Sequence, residues 1–423
     1  MLHVFKFGGA SVKDAPAVRN VADIVAHFNP QHRIVIIVSA MGKTTNALEE
    51  VVDAYYYQKG NAADLLNQIK EQHLSVSREL FGHDFHPVFT LLEQAFATVA
   101  QRFNHPPSIA YSYEYDQIVS LGELAATLIV SDYLNECRMG VEWLDARRLL
   151  RTDNTYREGQ INWKESAKRV LSVLPKMLDN GKIIITQGFM GGTIEGFTTT
   201  LGREGSDYTA AVFANLLDAD AMTVWKDVPG ILSADPRIID NAVLIPVLSY
   251  YEAIEMTYYG AHVIHPKTIK PVQNKNIPLY VRSFVKPTEN GTIVQAQLPK
   301  DTVLPPVVVI KKNQLLLSVQ SNDFSFVAEE NLSNIYQLFA EHRIKTNLTQ
   351  NAAISFSACI DNTPNRITEL LDKLAENYTV HKNEGLELIT IRHYTPEAIA
   401  QHTQNREILL EQKSRHTIQM VVK

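Results

Sequence analysis

The sequence has 423 residues, a length typical of two or three domains. Apolar residues make up 45% of the chain and charged residues 20%, and 40 basic side chains against 46 acidic ones give a net charge of −6. This composition argues against a disordered chain and against a broad nucleic-acid surface, which would need clustered Lys and Arg.

The sequence has no pattern of a membrane span or a signal peptide, and its cysteines do not suggest disulfides or a zinc site. No apolar run approaches the length of a membrane span, and the N-terminus begins with a strand pattern rather than a signal peptide. The two cysteines, Cys137 and Cys359, lie far apart and outside any CxxC motif, which argues against disulfides and a structural zinc site. We therefore expect a cytoplasmic protein with neither a membrane nor a nucleic acid as partner.

Strand and helix patterns alternate along the first part of the chain, up to about residue 290. The β-branched runs at 34–38 and 183–186 are typical of parallel strands that are buried on both faces. Further strands are predicted at 4–7, 221–226 and 278–282, and helices at 15–27, 45–58, 62–81, 88–103, 116–137, 206–217 and 249–259. This alternation predicts an α/β domain with a mainly parallel sheet and helices on both faces, whose ligands bind beyond the carboxyl ends of the strands.

A segment of turn residues without a periodic pattern, 291–305, is the best candidate for a linker. After it, the patterns predict strands at 314–320, 345–349, 353–360, 379–382 and 386–391, with helices at 329–342 and 364–376. This order, βαββαβ, is that of a ferredoxin-like unit. We predict one such domain at 306–383 and a partial second copy at 384–423, which has terminal strands at 406–411 and 416–422 and is one helix short.

The segment 6–11 joins a strand to a helix through two glycines. Gly8 and Gly9 allow the backbone to turn sharply and to point N–H groups at an anion, and Lys6 lies where a cation reaches a phosphate. A tight turn with an incidental lysine explains the same residues, and the segment alone leaves both interpretations open. Gly42-Lys43-Thr44 is not the end of a P-loop, because the pattern needs glycine at the position of Ile37.

Other turns follow buried strands or enter helices at 187–192, 201–209, 225–230 and 235–237. Ser206 or Asp207 could cap the helix that begins there, whereas the fork of Arg203 suits a carboxylate. Glu123 lies in an apolar helix, where it either faces solvent or pairs with a ligand ammonium. Together these turns indicate one anionic ligand, such as a nucleotide, along the sheet edge. The His pairs at 83/86 and 262/265 have no third ligand in view, so no metal site is predicted.

These segments together resemble the amino acid kinase family, and within it the monofunctional aspartate kinases. The matching segments, in family order, are 6–12 (KFGGASV), 38–45 (VSAMGKTT), 121–123 (LGE), 188–189 (GF), 202–207 (GREGSD), 227–230 (DVPG), 235–237 (DPR) and 265–266 (HP). They span nearly the whole first part of the chain, and the second part resembles the paired ACT regulatory domains of that family. Because the segments occur as an ordered set, the resemblance is specific.

The resemblance implies roles for individual residues. Lys6 would contact the transferring phosphoryl group, and Asp207 would organise the catalytic centre. The residues implied for aspartate are Ser39, Thr45, Glu123, Phe189, Arg203 and Ser206, with Glu123 on the ammonium and Arg203 on a carboxylate. The residues implied for ATP are Lys6, Gly8, Gly9, Ser11, Lys226, Asp227, Leu232, Arg237 and His262.

Several positions depart from the family pattern. They are Ala10 for a frequent threonine, Glu204 for a glycine, Lys226 for threonine, Leu232 for an aromatic residue and His262 for the lysine that reaches the nucleotide phosphates. A neutral imidazole supplies less charge than an ammonium, so His262 weakens the implied phosphate contact unless Lys226 or Lys267 compensates.

The implied reaction is attack of the β-carboxylate of L-aspartate on the γ-phosphorus of MgATP, the first step toward lysine, threonine and methionine. A carboxylate with a pKa near 4 is already ionised at neutral pH, so no general base is required. Catalysis then depends on alignment and charge neutralisation, and the phosphates supply most of the magnesium ligands.

The regulatory part of the resemblance implies a homodimer with lysine or threonine as effector. Asn347 stands where the lysine-sensitive form has aspartate, and Ala352 and Ala353 stand where polar residues are usual. Weak sensitivity, another ligand or no sensitivity all fit these changes. The alternatives in function are a kinase acting on glutamate, acetylglutamate or UMP, and a non-catalytic ACT sensor. The chain length argues against a bifunctional kinase–homoserine dehydrogenase.

Overall fold

The computed structural model describes residues 1–29, 32–261, 264–322 and 326–423. Its contacts divide the chain into two compact units. Unit 1 comprises Met1–Ile231, Pro246–Ile254 and Val263–Pro299, and unit 2 comprises Leu232–Ile245, Glu255–His262 and Lys300–Lys423. Unit 2 thus takes two short segments from the part of the chain that the sequence pattern assigns to the first domain.

Unit 1 contains a large, mainly parallel sheet and a small hairpin. Its strands are β1 Leu2–Phe7, β2 Arg33–Val38, β3 Val141–Trp143, β4 Ile183–Gln187, β5 Met190–Gly192, β6 Thr198–Thr200, β7 Ala221–Lys226, β8 Val247–Ser249, β9 Leu279–Ser283 and β10 Thr292–Gln295. Eight strands form the sheet in the order β3-β4-β2-β1-β7-β9-β10-β8, and β5 pairs with β6 separately. Among the described residues of the large sheet, β9 and β10 pair antiparallel and the other strand pairs are parallel. The predicted fold class is confirmed.

The helices of unit 1 occupy the connections between these strands. They are α1 Ala15–Phe28, α2 Thr44–Tyr56, α3 Ala62–Phe81, α4 Pro87–Ala100, α5 Tyr111–Val119, α6 Leu121–Glu136, α7 Ala146–Leu149, α8 Trp163–Asp179, α9 Gly205–Leu216 and α11 Pro266–Asn274. α10, Tyr250–Tyr259, begins in unit 1 and ends among the residues of unit 2. Side chains cap several of them; for example, Asp14 accepts from Ala17 N at 2.9 Å at the start of α1.

The central strands are buried because helices cover the sheet. In β1, β2 and β4, almost every residue is buried, which the unbroken β-branched pattern predicts. β1 lies between β2 and β7, so Lys6 pairs in register with Ile37 on one side and Val224 on the other. Parallel pairing brings the carboxyl ends of β1, β2, β4 and β7 to one edge.

Two predictions in unit 1 differ from the structure. The predicted helix 116–137 is two helices, α5 and α6, which meet at Ser120. By length and composition alone the run Tyr111–Glu136 is long and apolar enough to cross a membrane, so the expectation that no apolar run approaches that length was wrong. Within its 18-residue apolar stretch 78% is buried inside the protein, as in a core helix.

The start of the predicted linker also has regular structure. Residues 292–295 form β10. The strand can begin there because Gly291, with a φ of +67°, turns the chain close to β9: a Cβ at this position would clash with the carbonyl oxygen of Val281. Turn residues therefore mark the bend before β10 rather than the end of the sheet.

Unit 2 contains a six-stranded antiparallel sheet. Its further elements are β11 Val307–Ser321, α12 Glu329–Glu341, β12 Thr346–Asn351, β13 Ser355–Asp361, α13 Pro364–Ala375, β14 Tyr378–Arg392, α14 Pro396–Thr403, β15 Ile408–Lys413 and β16 Thr417–Val422. The strand order is β12-β13-β11-β14-β16-β15. The second half of β11, α12, β12, β13, α13 and the first half of β14 make the predicted βαββαβ unit.

The long strands β11 and β14 join this unit to the second one. The sequence predicts separate strands at 379–382 and 386–391, but β14 runs through both, and its pairing with β11 is irregular between Lys311 and Leu316. A helix that the pattern missed, α14, begins at Pro396 with a Thr395 cap. The second half thus has β14, α14, β15, β16 and the start of β11. Within the described residues of 384–423 it lacks a second helix of its own.

Candidate active site

A cavity of about 720 Å³ opens in unit 1 at the carboxyl ends of the central strands. Its walls come from the ends of β1, β2, β6 and β7, the first turns of α2 and α9, α5, α6 and the loop before α8. The lining residues are Lys6, Ser39, Thr45, Tyr115, Glu123, Thr155, Tyr156, Arg157, Glu158, Phe189, Thr200, Gly202, Arg203, Glu204, Gly205, Ser206, Asp207 and Lys226. Nine of the residues selected from the sequence therefore face one space, and they come from six separate segments.

A buried carboxylate between two lysines stands at the floor of the cavity. Lys6 Nζ lies 2.7 Å from Asp207 Oδ1, and Lys226 Nζ lies 3.8 Å from Asp207 Oδ2. Burial alone would raise the pKa of Asp207, but the charges of Lys6 and Lys226 outweigh it and hold that pKa below its ordinary value. Asp207 therefore stays ionised, and it fixes two ammonium groups at the ends of adjacent strands, β1 and β7.

The turn after β1 is packed too tightly for side chains. A Cβ on Gly9 would lie 2.8 Å from Ala40 O and 2.9 Å from Gly42 O, while a Cβ on Gly8 would be 3.4 Å from Lys6 Nζ. The backbone then forms a short 3-10 turn, Gly9–Val12, before α1 begins. Ser11 is buried, and its hydroxyl is 3.5 Å from Trp225 O. The glycines thus serve close approach of two loops around Lys6 rather than a left-handed backbone.

Glu123 lies in the first turn of α6 and is 3% exposed. Its Oε1 accepts from Ala40 N at 3.2 Å, whereas its Oε2 is buried without a hydrogen-bond partner among the described residues. Burial raises the pKa of Glu123 to about 8 despite the bond from Ala40 and the charge of Lys6. A buried carboxyl group that faces a cavity with one oxygen unused suits a ligand ammonium, because the charge of the ammonium favours the ionised form of Glu123. The alternative of a solvent-exposed helix face is wrong.

Gly122 explains how Glu123 reaches the cavity. A Cβ at this position would lie 2.9 Å from Ala40 Cβ and 3.2 Å from Thr44 Cγ2, so only glycine lets α6 approach the start of α2. Ser39, in the loop after β2, and Thr45, in the first turn of α2, line the same cavity as Glu123. Gly122, a poor helix former within α6, is therefore a packing requirement of the site.

Phe189 and Ser206 form another wall. Phe189 has a left-handed backbone (φ +67°), and its N–H donates to Thr209 Oγ1 at 3.0 Å. Gly188 lies directly against Ser206, where a Cβ would be 2.5 Å from Ser206 Cβ. α9 begins after Glu204 without a side-chain cap, so the capping explanation of Ser206 and Asp207 is wrong. Both side chains instead face the cavity.

Arg203 and Glu204 lie in the loop that enters α9. Arg203 is exposed at the cavity wall. Glu204 adopts a left-handed backbone (φ +52°), and its Oε2 accepts from His265 N at 2.9 Å at the start of α11. Lys267 Nζ donates to Leu201 O at 2.9 Å in the same loop. Glu204, at a position where the family has glycine, thus connects the loop to the start of α11.

Sequence patterns did not predict the wall of the cavity that residues 155–158 form. Residues 155–158 line the cavity from a loop without a buried strand before it, so no strand-end pattern marks it. Asp116 holds this loop in place. It is fully buried, and it accepts from Arg157 N at 2.9 Å, Thr200 N at 2.8 Å and Thr200 Oγ1 at 2.7 Å. A buried aspartate in an apolar helix was the available signal.

Some residues implied for the nucleotide do not line the cavity. Asp227 is exposed just beyond Lys226. Leu232 and Arg237 belong to unit 2, where Arg237 pairs with Asp235 at 2.7 Å. His262 lies outside the described residues, so its role stays a prediction. The cavity thus assembles the residues implied for aspartate and Lys6, Lys226 and Asp207, but not the remaining nucleotide set.

A mainly parallel sheet covered by helices, with lysines and a Gly-rich turn at its carboxyl edge, suits phosphoryl transfer, and the proteins that the chain resembles are kinases. A model described as the amino acid kinase family matches residues 1–283, and the chain belongs to that family.

Its relatives are aspartokinases. The chain is 31% identical over 404 residues to lysine-sensitive aspartokinase 3 of Escherichia coli, an alignment that covers 92% of this chain and 86% of that relative. It is 33% identical over 306 residues to a chloroplastic bifunctional aspartokinase/homoserine dehydrogenase 2 of Arabidopsis thaliana, where it spans 71% of this chain and 33% of the relative.

Solved structures of E. coli aspartokinase III match the full length of the chain. The complex with aspartate and ADP has a TM-score of 0.81 at 27% identity, and the complex with lysine and aspartate has 0.84 at 28%. Each comparison covers 100% of this chain and 96% of the other.

Proposed function

We propose that this protein is an aspartate kinase, which transfers the γ-phosphoryl group of ATP to the β-carboxylate of L-aspartate and releases 4-phospho-L-aspartate and ADP. The observation that carries the proposal is the cluster of Lys6, Asp207 and Lys226, with a buried carboxylate between two ammonium groups, in the same cavity as Glu123. Two cations suit a phosphoryl group, and an unused carboxylate oxygen suits an amino acid's ammonium.

The described side chains act by alignment and charge. Glu123 Oε2 and the exposed guanidinium of Arg203 give an amino acid two opposite anchors, which leave its side-chain carboxylate free to point at the phosphoryl group. Lys6 and Lys226 neutralise charge that develops on the phosphoryl oxygens. Asp207 acts as the fixed counter-charge of both lysines and not as a base, because the nucleophile is already ionised.

Magnesium enters as MgATP. Within the described residues no three acidic, histidine or cysteine side chains are grouped as a metal cluster, and Asp207 already pairs with two ammonium groups. This donor set suits an ion that the substrate phosphates hold with few protein ligands, which Mg²⁺ commonly accepts.

Unit 2 supports a proposal about regulation. Lys311 Nζ donates to Asn347 Oδ1 at 2.8 Å, and Asn347 Nδ2 donates to Gln314 Oε1 and Asp361 Oδ1 at 2.8 and 2.9 Å. The lysine-sensitive form has aspartate at the position of Asn347, so here a neutral amide that is already fully bonded replaces a charge. The protein therefore responds weakly or not at all to lysine, although it keeps the ferredoxin-like region. We propose a homodimer, which light scattering on the purified chain tests.

A hydroxamate assay tests the activity. The purified protein is incubated with MgATP, hydroxylamine and one of L-aspartate, L-glutamate or N-acetylglutamate, with and without lysine or threonine. Aspartyl hydroxamate as the main product supports the proposal. Preference for glutamate or acetylglutamate assigns another kinase of the family, and no acyl phosphate with any acceptor favours a non-catalytic sensor.

A further inference from the structure

Two arginines line the cavity from adjacent loops. Arg203 precedes α9, and Arg157 lies in the loop before α8; the carbonyl oxygen of Arg157 is 3.2 Å from where a Cβ of Gly202 would lie. Neither arginine forms an ion pair with an acidic side chain of the described residues. Within this cavity they are cations that a bound anion could engage without displacing a protein carboxylate.

The backbone of Arg157 is held in an unfavourable conformation. Its φ of +69° is in the left-handed region, which costs a non-glycine residue about 1–2 kcal/mol. The conformation persists because the N–H of Arg157 is bonded to buried Asp116, and Gly159 N is bonded to Thr200 O at 2.9 Å. Backbone strain that the surrounding hydrogen bonds maintain is typical of residues in active sites and ligand-binding sites.

The direction of the Arg157 side chain identifies which part of a ligand it meets. Its guanidinium carbon lies 4.3 Å above the ring of Tyr115, and the Tyr115 hydroxyl donates to Glu49 of α2 at 2.7 Å. α2 is also the helix whose first turn carries Thr45. Arg157 is therefore stacked on α5, which is bonded to α2, the helix of Thr45, and leads directly into α6, the helix of Glu123. This is the side that the proposed function gives to the amino acid.

We propose that Arg157 is a specificity-determining residue, a second anchor that shares the α-carboxylate of the amino-acid substrate with Arg203. This inference rests on the proposed function. A carboxylate has about four lone-pair sites and can accept from two guanidinium groups, so two arginines can hold one carboxylate. With its α-carboxylate and ammonium fixed, aspartate presents only its β-carboxylate to the phosphoryl group, and acceptors without a free α-carboxylate are rejected.

The test compares Arg157→Gly with a matched control, Arg138→Gly. Both replace an exposed arginine that has positive φ (+69° and +60°) by glycine, but Arg138 lies in the turn after α6 and does not line the cavity. For Arg157→Gly we expect the Kd for aspartate, measured by calorimetry, and the KM for aspartate to rise at least tenfold, while the KM for ATP changes less than threefold. Arg138→Gly should match the wild type in both. Arg157→Asn, which also tolerates the left-handed backbone, should behave like Arg157→Gly.

A second readout separates recognition from mere loop structure. L-aspartic acid α-amide keeps the ammonium and the β-carboxylate but lacks the α-carboxylate. The ratio of kcat/KM for aspartate to kcat/KM for this amide measures the preference for a free α-carboxylate. We expect this ratio to be at least tenfold higher in the wild type than in Arg157→Gly. If the wild type is active but Arg157→Gly has an unchanged preference or an unchanged Kd for aspartate, the assignment of Arg157 is overturned and the proposed function stands. A wild-type protein that neither binds nor phosphorylates aspartate overturns the proposed function and this inference together.

Discussion

Lys6 Nζ and Asp207 Oδ1 lie 2.7 Å apart, and both side chains are almost fully buried. Two segments that are about 200 residues apart in sequence therefore meet in one ion pair at the centre of the candidate site. Removal of one partner of a buried pair leaves an uncompensated charge, which typically costs about 3–5 kcal/mol. Here Lys226 remains near Asp207 at 3.8 Å and offsets part of that cost.

Lys6→Ala should lower kcat for aspartate phosphorylation at least tenfold, or about 1.4 kcal/mol of barrier. Lys6→Met, which removes the charge but keeps much of the volume, should show the same loss with a better-preserved fold by circular dichroism. Lys13→Ala is the matched control, because Lys13 is exposed and follows the same turn. A folded Lys6 variant with near-normal turnover would exclude Lys6 from the mechanism.

Glu123→Gln should raise the KM for aspartate at least tenfold and leave the KM for ATP within threefold. The amide keeps the bond from Ala40 N but has no charge for an ammonium. An equal rise in both KM values would refute the assignment of Glu123 to the amino acid.

The same variant should be more stable than the wild type without ligand, and increasingly so as pH rises. The pKa of Glu123 is about 8 in the folded chain and 4.5 as a free side chain, so the folded state holds a proton that the unfolded state releases. Wild-type stability therefore falls between pH 4.5 and 8, whereas glutamine does not titrate. Melting temperatures at pH 6 and 8.5 should diverge further at the higher pH; a constant difference would contradict the buried, protonated state of Glu123.

Sequence patterns predicted most of the fold because its central strands are buried on both faces and its helices have clear ends. The site was found where a Gly-rich turn follows the strand that carries Lys6 and where a charged residue, Glu123, lies in an apolar helix. The loop of Arg157 was missed because it follows no buried strand and is fixed by a long-range bond to Asp116. β10 and α14 were missed because turn residues and short apolar spacing dominate their local pattern.

Asp116→Ala should unfold the loop that carries Arg157 and destabilise the protein by about 2–4 kcal/mol, because the backbone N–H groups of Arg157 and Thr200 lose their acceptor. Asp116→Asn should cost less than about 1 kcal/mol. Its amide oxygen accepts from both N–H groups, and the Thr200 hydroxyl turns to accept from the new N–H₂. Urea unfolding gives both values, and equal losses in the two variants would contradict this account.

The pH dependence of the Asp116 variants has a defined sign. Burial raises the pKa of Asp116 from 3.8 to about 6 against the bonds that favour its ionised form. The folded wild type thus binds a proton more tightly than the unfolded chain, and its stability relative to Asp116→Asn falls as pH rises from about 4 to 6. Unfolding free energies measured at pH 4.5 and 7 should show this change, and a difference of the opposite sign would contradict the raised pKa.

Glu204 tests whether the Arg203 loop must be fixed to α11. Glu204→Ala keeps a left-handed backbone without glycine's freedom and removes the acceptor for His265 N, so it should lower the melting temperature and raise the KM for aspartate at least fivefold. Glu204→Gly relieves the backbone but still loses the bond, so it should recover stability and not KM. Glu204→Gln keeps an oxygen acceptor and should remain close to the wild type in both. If Glu204→Gln instead shows the KM of Glu204→Ala, the charge of Glu204 matters for the substrate itself, and its contact with His265 does not account for the residue.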